Sequence, residues 1–232
     1  MLTSDERVVM ISGANRGIGR TIATRLLDSG FRLSLGVRHP ETIGSQTDER
    51  RFIQYYEATD PASAAKWVKA TIAHFGRIDA VVANAGIYRE VAIDDGSESD
   101  LDDLWNINVK GPFRLVRAAW PYLKSSGCGR VIAIASMSGK RVRSARATGY
   151  AMSKFALMAL VHGARHSGWP HGIRATAICP AYVATDMTSK VVDVPPEQMT
   201  SPEMIADLVS VALRAPNTAV IPEIPVSWTL EP

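Results

Sequence analysis

Cysteine is nearly absent from this chain: Cys128 and Cys179 are the two among 232 residues. Two thiols build no disulfide framework, and such usage suits a reducing compartment, so a cytoplasmic protein is expected. A strong charge of one sign is missing as well. Lys and Arg total 26 against 23 Asp and Glu, a net charge of +3, where a nucleic-acid binder carries a larger and more clustered basic excess. No apolar run is long enough to cross a bilayer. The first one, in RVVMIS, follows an acidic start and is too short for a signal peptide. Internal repeats, low-complexity tracts and linkers are lacking too. Neither nucleic acid nor membrane is therefore expected as a partner. Metal-ligand spacing is thin: His162 and His166 stand at i, i+4, with His171 after them. No acid or Cys accompanies them, so a surface or subunit-interface role is expected and no metal.

What the chain does have is alternation. With 46% hydrophobic and 21% charged residues, its composition is ordinarily globular, and 1–232 is expected as one domain. RVVMIS (7–12), FRLSLGV (31–37), RFIQYYE (51–57), IDAVVAN (78–84), GRVIAIAS (129–136) and GIRATAICP (172–180) read as strands. TAVI (218–221) is expected as a seventh. Between them run helical patterns: GIGRTIATRLLDSG closed by Gly30, a helix opened by Asp60-Pro61 and reaching about His74, about 97–125 interrupted at Gly111-Pro112, about 148–167, and Ser201-Pro202-Glu203 to about Arg214. Strands alternating with helices imply crossover connections, hence an α/β fold with a doubly wound parallel sheet of about seven strands, covered on both faces. Segments 39–50 and 186–200 are the expected mobile loops.

The first strand runs into Gly13-Ala14-Asn15-Arg16-Gly17-Ile18-Gly19. A glycine turn between a strand and a helix lets backbone N–H groups approach a pyrophosphate, and the helix N-terminus adds positive potential, as in Rossmann-type domains. The spacing is G-x-x-x-G-x-G. A site for NAD usually carries an acid at the end of the second strand, on the ribose 2′-OH. Here that strand ends Gly36-Val37-Arg38-His39. Arg38, with Arg16 in the glycine turn, suits a 2′-phosphate instead. NADP is therefore expected, ahead of NAD.

Tyr150 and Lys154, at i, i+4, share one face of a helix. A free phenol with pKa ~10 exchanges protons poorly at neutral pH, and a nearby ammonium favours its ionised form. The preceding strand ends Ala135-Ser136, so its hydroxyl can come beside Tyr150. The stretches SGANRGIG, VANAG (82–86), NINVKG (106–111), ASMSG (135–139), YAMSK (150–154) and CPAYVATDM (179–187) occur in an order and spacing that resembles the short-chain dehydrogenase/reductase family. The resemblance covers about residues 7 to 221.

With NADP expected from Arg38 and Arg16, the resemblance implies an oxidoreductase interconverting a carbonyl and an alcohol. Tyr150 is then the acid/base, Ser136 (with Ser138 as runner-up) hydrogen-bonds the substrate oxygen, and Lys154 binds the nicotinamide ribose and lowers the Tyr150 pKa. Asn108 is the helix-kink residue holding a water in a proton relay. Asn84 and Gly86 line the cofactor, Glu57 lies near the adenine, and Pro180, Val183 and Thr185 frame the nicotinamide end. The substrate site comes from loops after the fourth to sixth strands, and the partners are a small carbonyl or alcohol substrate and further copies in a homodimer or homotetramer. Departures from the family pattern are Ser12, Ala83, Ala181 and the tail IPEIPVSWTLEP, which lacks a glycine-rich ending. The basic loop KRVRSAR (140–146) reads either as a solvated loop or as a rim for an anionic substrate. A non-catalytic NADP-binding sensor or complex subunit, and an epimerase or dehydratase, stay open as alternatives.

Overall fold

The computed structural model describes residues 1–44, 47–189 and 193–230. Seven strands, β1 (Val8–Ser12), β2 (Arg32–Val37), β3 (Arg51–Tyr55), β4 (Ala80–Ala83), β5 (Arg130–Ile134), β6 (Arg174–Pro180) and β7 (Glu223–Val226), form one sheet in the order β3-β2-β1-β4-β5-β6-β7. Every neighbouring pair is parallel. Helices α1 (Gly17–Asp28) and α6 (Pro202–Arg214) cover one face. Helices α2 (Ser63–Phe75), α4 (Gly111–Ser125) and α5 (Thr148–Gly168) cover the other, and α3 (Glu98–Trp105) precedes α4.

The strands are apolar throughout because each face of the sheet meets helices. Val9, Ile11, Ala80, Val82, Ile132, Ile134 and Ile178 point into the layer under α1 and α6. The residues between them, Met10, Val81, Val131, Ala133, Ala177 and Cys179, point into the layer under α2, α4 and α5. The two-residue period of a strand thus feeds two cores at once.

Two elements lie elsewhere than their sequence suggests. The seventh strand is Glu223–Val226, not 218–221. Its register, from Ala177↔Glu223 to Pro180↔Val226, is set by β6, and at the sheet's edge Pro225 is tolerated where a central strand would reject it. The break between α3 and α4 comes one turn earlier than Gly111-Pro112. Asn106–Lys110 form a π-helical turn, in which the Gly111 N–H reaches back to the Asn106 carbonyl. Gly111 and Pro112 then open α4, where a missing N–H costs nothing. At the other helix starts, Asp60 accepts from the Ala62 N–H at 2.8 Å just ahead of α2, and Ser201 caps α6 through the Met204 N–H. The segments 39–50 and 186–200 contain short 3₁₀ turns at Pro40–Ile43, Asp186–Thr188 and Pro196–Gln198, while residues 45–46 and 190–192 lie outside the described residues. Among the described residues, no helix is long and apolar enough to cross a membrane.

Candidate active site

After β1 the chain turns to β2 on one side, and after β4 to β5 on the other. This reversal opens a crevice at the carboxyl ends of β1 and β4, the place where open α/β sheets bind ligands. A cavity of about 250 Å³ lies there. Gly13, Asn15, Arg16, Gly17, Ile18 and Gly19 line one end, with Arg38 and Glu57 beside them. Asn84 and Gly86 line the middle, and Ser136, Tyr150, Lys154, Pro180, Val183 and Thr185 the other end. Asn108 and the runner-up Ser138 are not on the wall.

The glycine end is built by close approach. Gly13 and Gly17 have φ of 69° and 51°, in the left-handed region that side chains resist. A methyl group on Gly19 would lie 2.2 Å from the Gly13 carbonyl oxygen and 2.4 Å from the Asn84 amide nitrogen. Ser12 Oγ accepts from the N–H groups of Asn84 (3.0 Å) and Ala85 (3.1 Å), and Asn84 Nδ2 donates back to the Ser12 and Gly13 carbonyls at 2.9 and 3.1 Å. The Asn84 amide is thus a clasp between β1 and β4. At the head of α1, Arg16 supplies no side-chain cap, and the first turn holds no acid. Its leading N–H groups therefore have no competing partner on their own helix, which fits the pyrophosphate of a dinucleotide.

At the end of β2 no carboxylate waits for a ribose hydroxyl, and Arg38 is exposed beside the cavity. Glu57 accepts from the Thr59 N–H at 3.1 Å and so folds over its own loop. Arg16 pairs at 3.6 Å with Asp186, an acid the sequence did not single out, which ties the glycine turn to the segment after β6. That segment is organised locally: Thr185 and Thr188 exchange side-chain and backbone hydrogen bonds as a capping box.

At the opposite end, Ser136 heads the 3₁₀ turn Met137–Gly139, its Oγ accepting from the Ser138 N–H at 3.0 Å. Ser136 and not Ser138 faces the cavity. Helix α5 brings the Tyr150 phenol to the same end of the cavity as Ser136, near enough for Ser136 to draw its pKa down. Lys154 Nζ lies over the Tyr150 ring, 5.6 Å from its centroid, and donates to the Ile134 carbonyl at 3.0 Å. Burial pushes the Tyr150 phenol up to about 12, against a smaller downward pull from Ser136. Burial also brings Lys154 down to about 8. The expected lowering of Tyr150 by Lys154 is not found: the ammonium sits over the ring, and loss of water around the phenol dominates.

Asn108 sits in the π turn, buried behind Gly86-Ile87. Its Oδ1 accepts from the Ile87 N–H at 2.9 Å, and its Nδ2 donates to the Ile87 carbonyl and to Ser153 Oγ, both at 3.0 Å. Ser153 in turn donates to the Tyr150 carbonyl at 2.7 Å. This inner serine of YAMSK links Asn108 to the Tyr150 turn, and its place inside that motif was the available signal.

The basic loop is partly neutralised by ion pairs, Lys140 with Glu223 and Arg146 with Glu90. His162 finds the acidic partner that its sequence neighbours lack, Glu223, at 2.9 Å. No group of three or more His, Cys, Asp or Glu gathers as a metal site among the described residues.

The family profile described as short chain dehydrogenase matches residues 7–195. This chain belongs to the short-chain dehydrogenase family. An agropine synthesis reductase of Rhizobium rhizogenes is 39% identical over 224 residues, which is 93% of this chain but 51% of that protein; the short-chain dehydrogenase described here spans about half the length of that curated relative. A short-chain dehydrogenase from Burkholderia cenocepacia J2315, solved in complex with NADP, superposes with a TM-score of 0.87 at 25% identity, covering 97% of this chain and 98% of that one. The 3-ketoacyl-(acyl-carrier-protein) reductase of Brucella melitensis, solved with NADH, has the same fold, with a TM-score of 0.88 at 20% identity and coverage of 97% and 98%. As a short-chain dehydrogenase the chain is of an oxidoreductase family, and its neighbours include both coenzymes.

Proposed function

We propose that the chain is an NADP-dependent oxidoreductase that reduces a carbonyl to an alcohol, with Tyr150 delivering the proton. One observation carries this reading: Tyr150, beside Ser136 and covered by Lys154, faces the same cavity as the glycine turn. When bound, the coenzyme supplies the hydride. Ser136 steadies the oxygen on which charge develops. A phenol pushed up to about 12 keeps its proton at neutral pH and yields it to a stronger base, such as the oxygen of a carbonyl under reduction. This favours the reductive direction.

Lys154, brought down to about 8, is still mostly charged at pH 7. One of its three N–H bonds is held by Ile134, leaving others for ribose hydroxyls. Because the Asn108 amide is taken up by Ile87 and Ser153, its Nδ2 has no N–H left for a water of a proton relay. A side chain at residue 86 would crowd this junction, since a methyl there would stand 3.2 Å from Asn108 Oδ1 and 3.7 Å from Lys154 Nζ.

The preference for NADP rests on Arg38 at an end of β2 that lacks a carboxylate, with Arg16 as second cation. The substrate is a small carbonyl compound. With Lys140 and Arg146 paired to acids, the loop gives an anionic substrate less free charge than its sequence suggests. Tyr150→Phe is expected to abolish turnover across a carbonyl panel while NADPH binding, followed by Trp fluorescence, stays near wild type. Arg38→Ala is expected to erase the NADPH-over-NADH preference. Normal turnover by Tyr150→Phe overturns the chemistry, and a wild-type preference for NADH overturns the coenzyme assignment.

A further inference from the structure

Glu223 opens the last strand, beyond the stretch that matches the family. It lines no part of the cavity, yet its carboxylate joins the two elements that carry the candidate chemistry. One oxygen takes the ammonium of Lys140, and the other accepts from His162 Nε2 at 2.9 Å. Lys140 closes the turn that Ser136 heads: its N–H donates to the Met137 carbonyl at 2.9 Å, and that of Gly139 donates to the Ser136 carbonyl at 2.9 Å. His162 lies on α5, eight residues past Lys154, with Met158 between them on the same face. The turn rests directly on this face, since a methyl on Gly139 would lie 2.9 Å from the Lys154 carbonyl and 3.0 Å from Met158 Cγ.

The protonation pattern of the clamp follows from its partners. Arg165 NH1 stands 3.2 Å from His162 Nδ1, and a guanidinium can only donate. Nδ1 then serves as the acceptor for Arg165, and Nε2 is the nitrogen directed at Glu223. Glu223 is thus held by the Lys140 ammonium and by His162 Nε2, and the Lys140 hydrogen bond holds its carboxyl below the usual carboxylate range.

We infer that Glu223 is a positioning residue for the reaction, fixing the Ser136 turn against helix α5 so that the Ser136 and Tyr150 hydroxyls stay in register. The inference rests on the carbonyl-reductase reading above. The three side chains of the clamp are all partly open to solvent, and ion pairs in that setting add little to global stability. Its contribution lies in geometry, where a displacement of the order of an ångström costs up to about a hundred-fold in rate.

The test compares wild type, Glu223→Ala and Glu223→Gln, each with and without Ser136→Ala, for kcat, KM, NADPH affinity and Tm. Glu223→Ala is expected to lower kcat about ten-fold or more, with KM, NADPH affinity and Tm little changed, and Glu223→Gln to be intermediate because its amide oxygen still accepts one bond. In the Ser136→Ala background the Glu223 effect is expected to vanish, since the clamp acts through Ser136. An undiminished Glu223 effect in that background, or an unchanged kcat in Glu223→Ala, overturns the inference. Should wild type bind NADPH but turn over no carbonyl, the functional reading fails on its own. Hydrogen exchange then decides the clamp. The Gly139 and Lys140 amides are expected to exchange faster in Glu223→Ala while those of α1 do not, and unchanged exchange overturns the clamp.

Discussion

Asn108→Ala removes a side chain that lies behind the cavity wall rather than on it, yet it should damage both stability and activity. The residue is 1% exposed, and its amide makes three hydrogen bonds, two to Ile87 and one to Ser153. At about 1 kcal/mol net for each, the loss comes to about 3 kcal/mol, with more to come where the Ile87 groups are left buried and unmet. Equilibrium urea unfolding at an unchanged m-value is the assay. Ser153→Ala, which gives up the bond from Asn108 and the one to the Tyr150 carbonyl, is expected to cost less. Asn108→Asp keeps the acceptor for the Ile87 N–H but sets an anion against the Ile87 carbonyl, so it is expected to be at least as damaging at neutral pH. The loss should extend to NADPH affinity, because Gly86 and Ile87 form the cavity wall that Asn108 holds. An Asn108→Ala protein within about 1 kcal/mol of wild type would refute the view that this amide is the bracket behind the wall.

Further outcomes follow from burial and close approach. Gly36→Ala puts a methyl 2.5 Å from the Trp67 ring, an overpacking expected to cost about 1–3 kcal/mol and to show as a lower Tm; an unchanged Tm counts against it. Burial brings Lys154 down to about 8 from the 10.5 of a free lysine, so between these values the unfolded chain binds the extra proton. Stability from this group is present above the unfolded pKa and lost as pH falls through the folded one, by linkage. Relative to Lys154→Met, wild type should therefore gain stability as pH rises from about 8 to about 10, and a flat difference across that window would show that Lys154 is better solvated than its surroundings indicate.

Much of this was legible from local sequence. The β1–glycine turn–α1 unit and the apolar strands rest on chemistry within a few residues, the Ser136, Tyr150 and Lys154 set rests on the order and spacing of motifs along the chain, and the cavity brings these residues together. What escaped depends on distant partners. The seventh strand is chosen by the register of β6 rather than by the β-branched TAVI. The π turn at Asn106–Lys110 depends on Gly111 fitting against residues 56–58, where a methyl would stand 2.9 Å from Ala58 Cβ. The partners of Arg16 and His162, Asp186 and Glu223, are remote in sequence and anonymous within it. The direction of the Tyr150 shift was misread because Y-x-x-x-K shows the neighbouring charge, while the burial that outweighs it is a property of the packed fold.

The clasp between β1 and β4 has a consequence for the chain as it is made. Synthesis delivers β1, the glycine turn, α1, β2 and β3 before β4 appears. Until then β1 has one open edge, and the glycine turn lacks the Asn84 amide that ties the Ser12 and Gly13 carbonyls to the next strand. The nucleotide half and the chemical half are therefore joined by a single late strand pairing at the centre of the sheet, and a nascent chain that ends before β4 exposes an apolar strand edge of the kind that invites wrong partners. The glycine turn is thus completed when the middle of the sheet closes and not when the turn itself is first made.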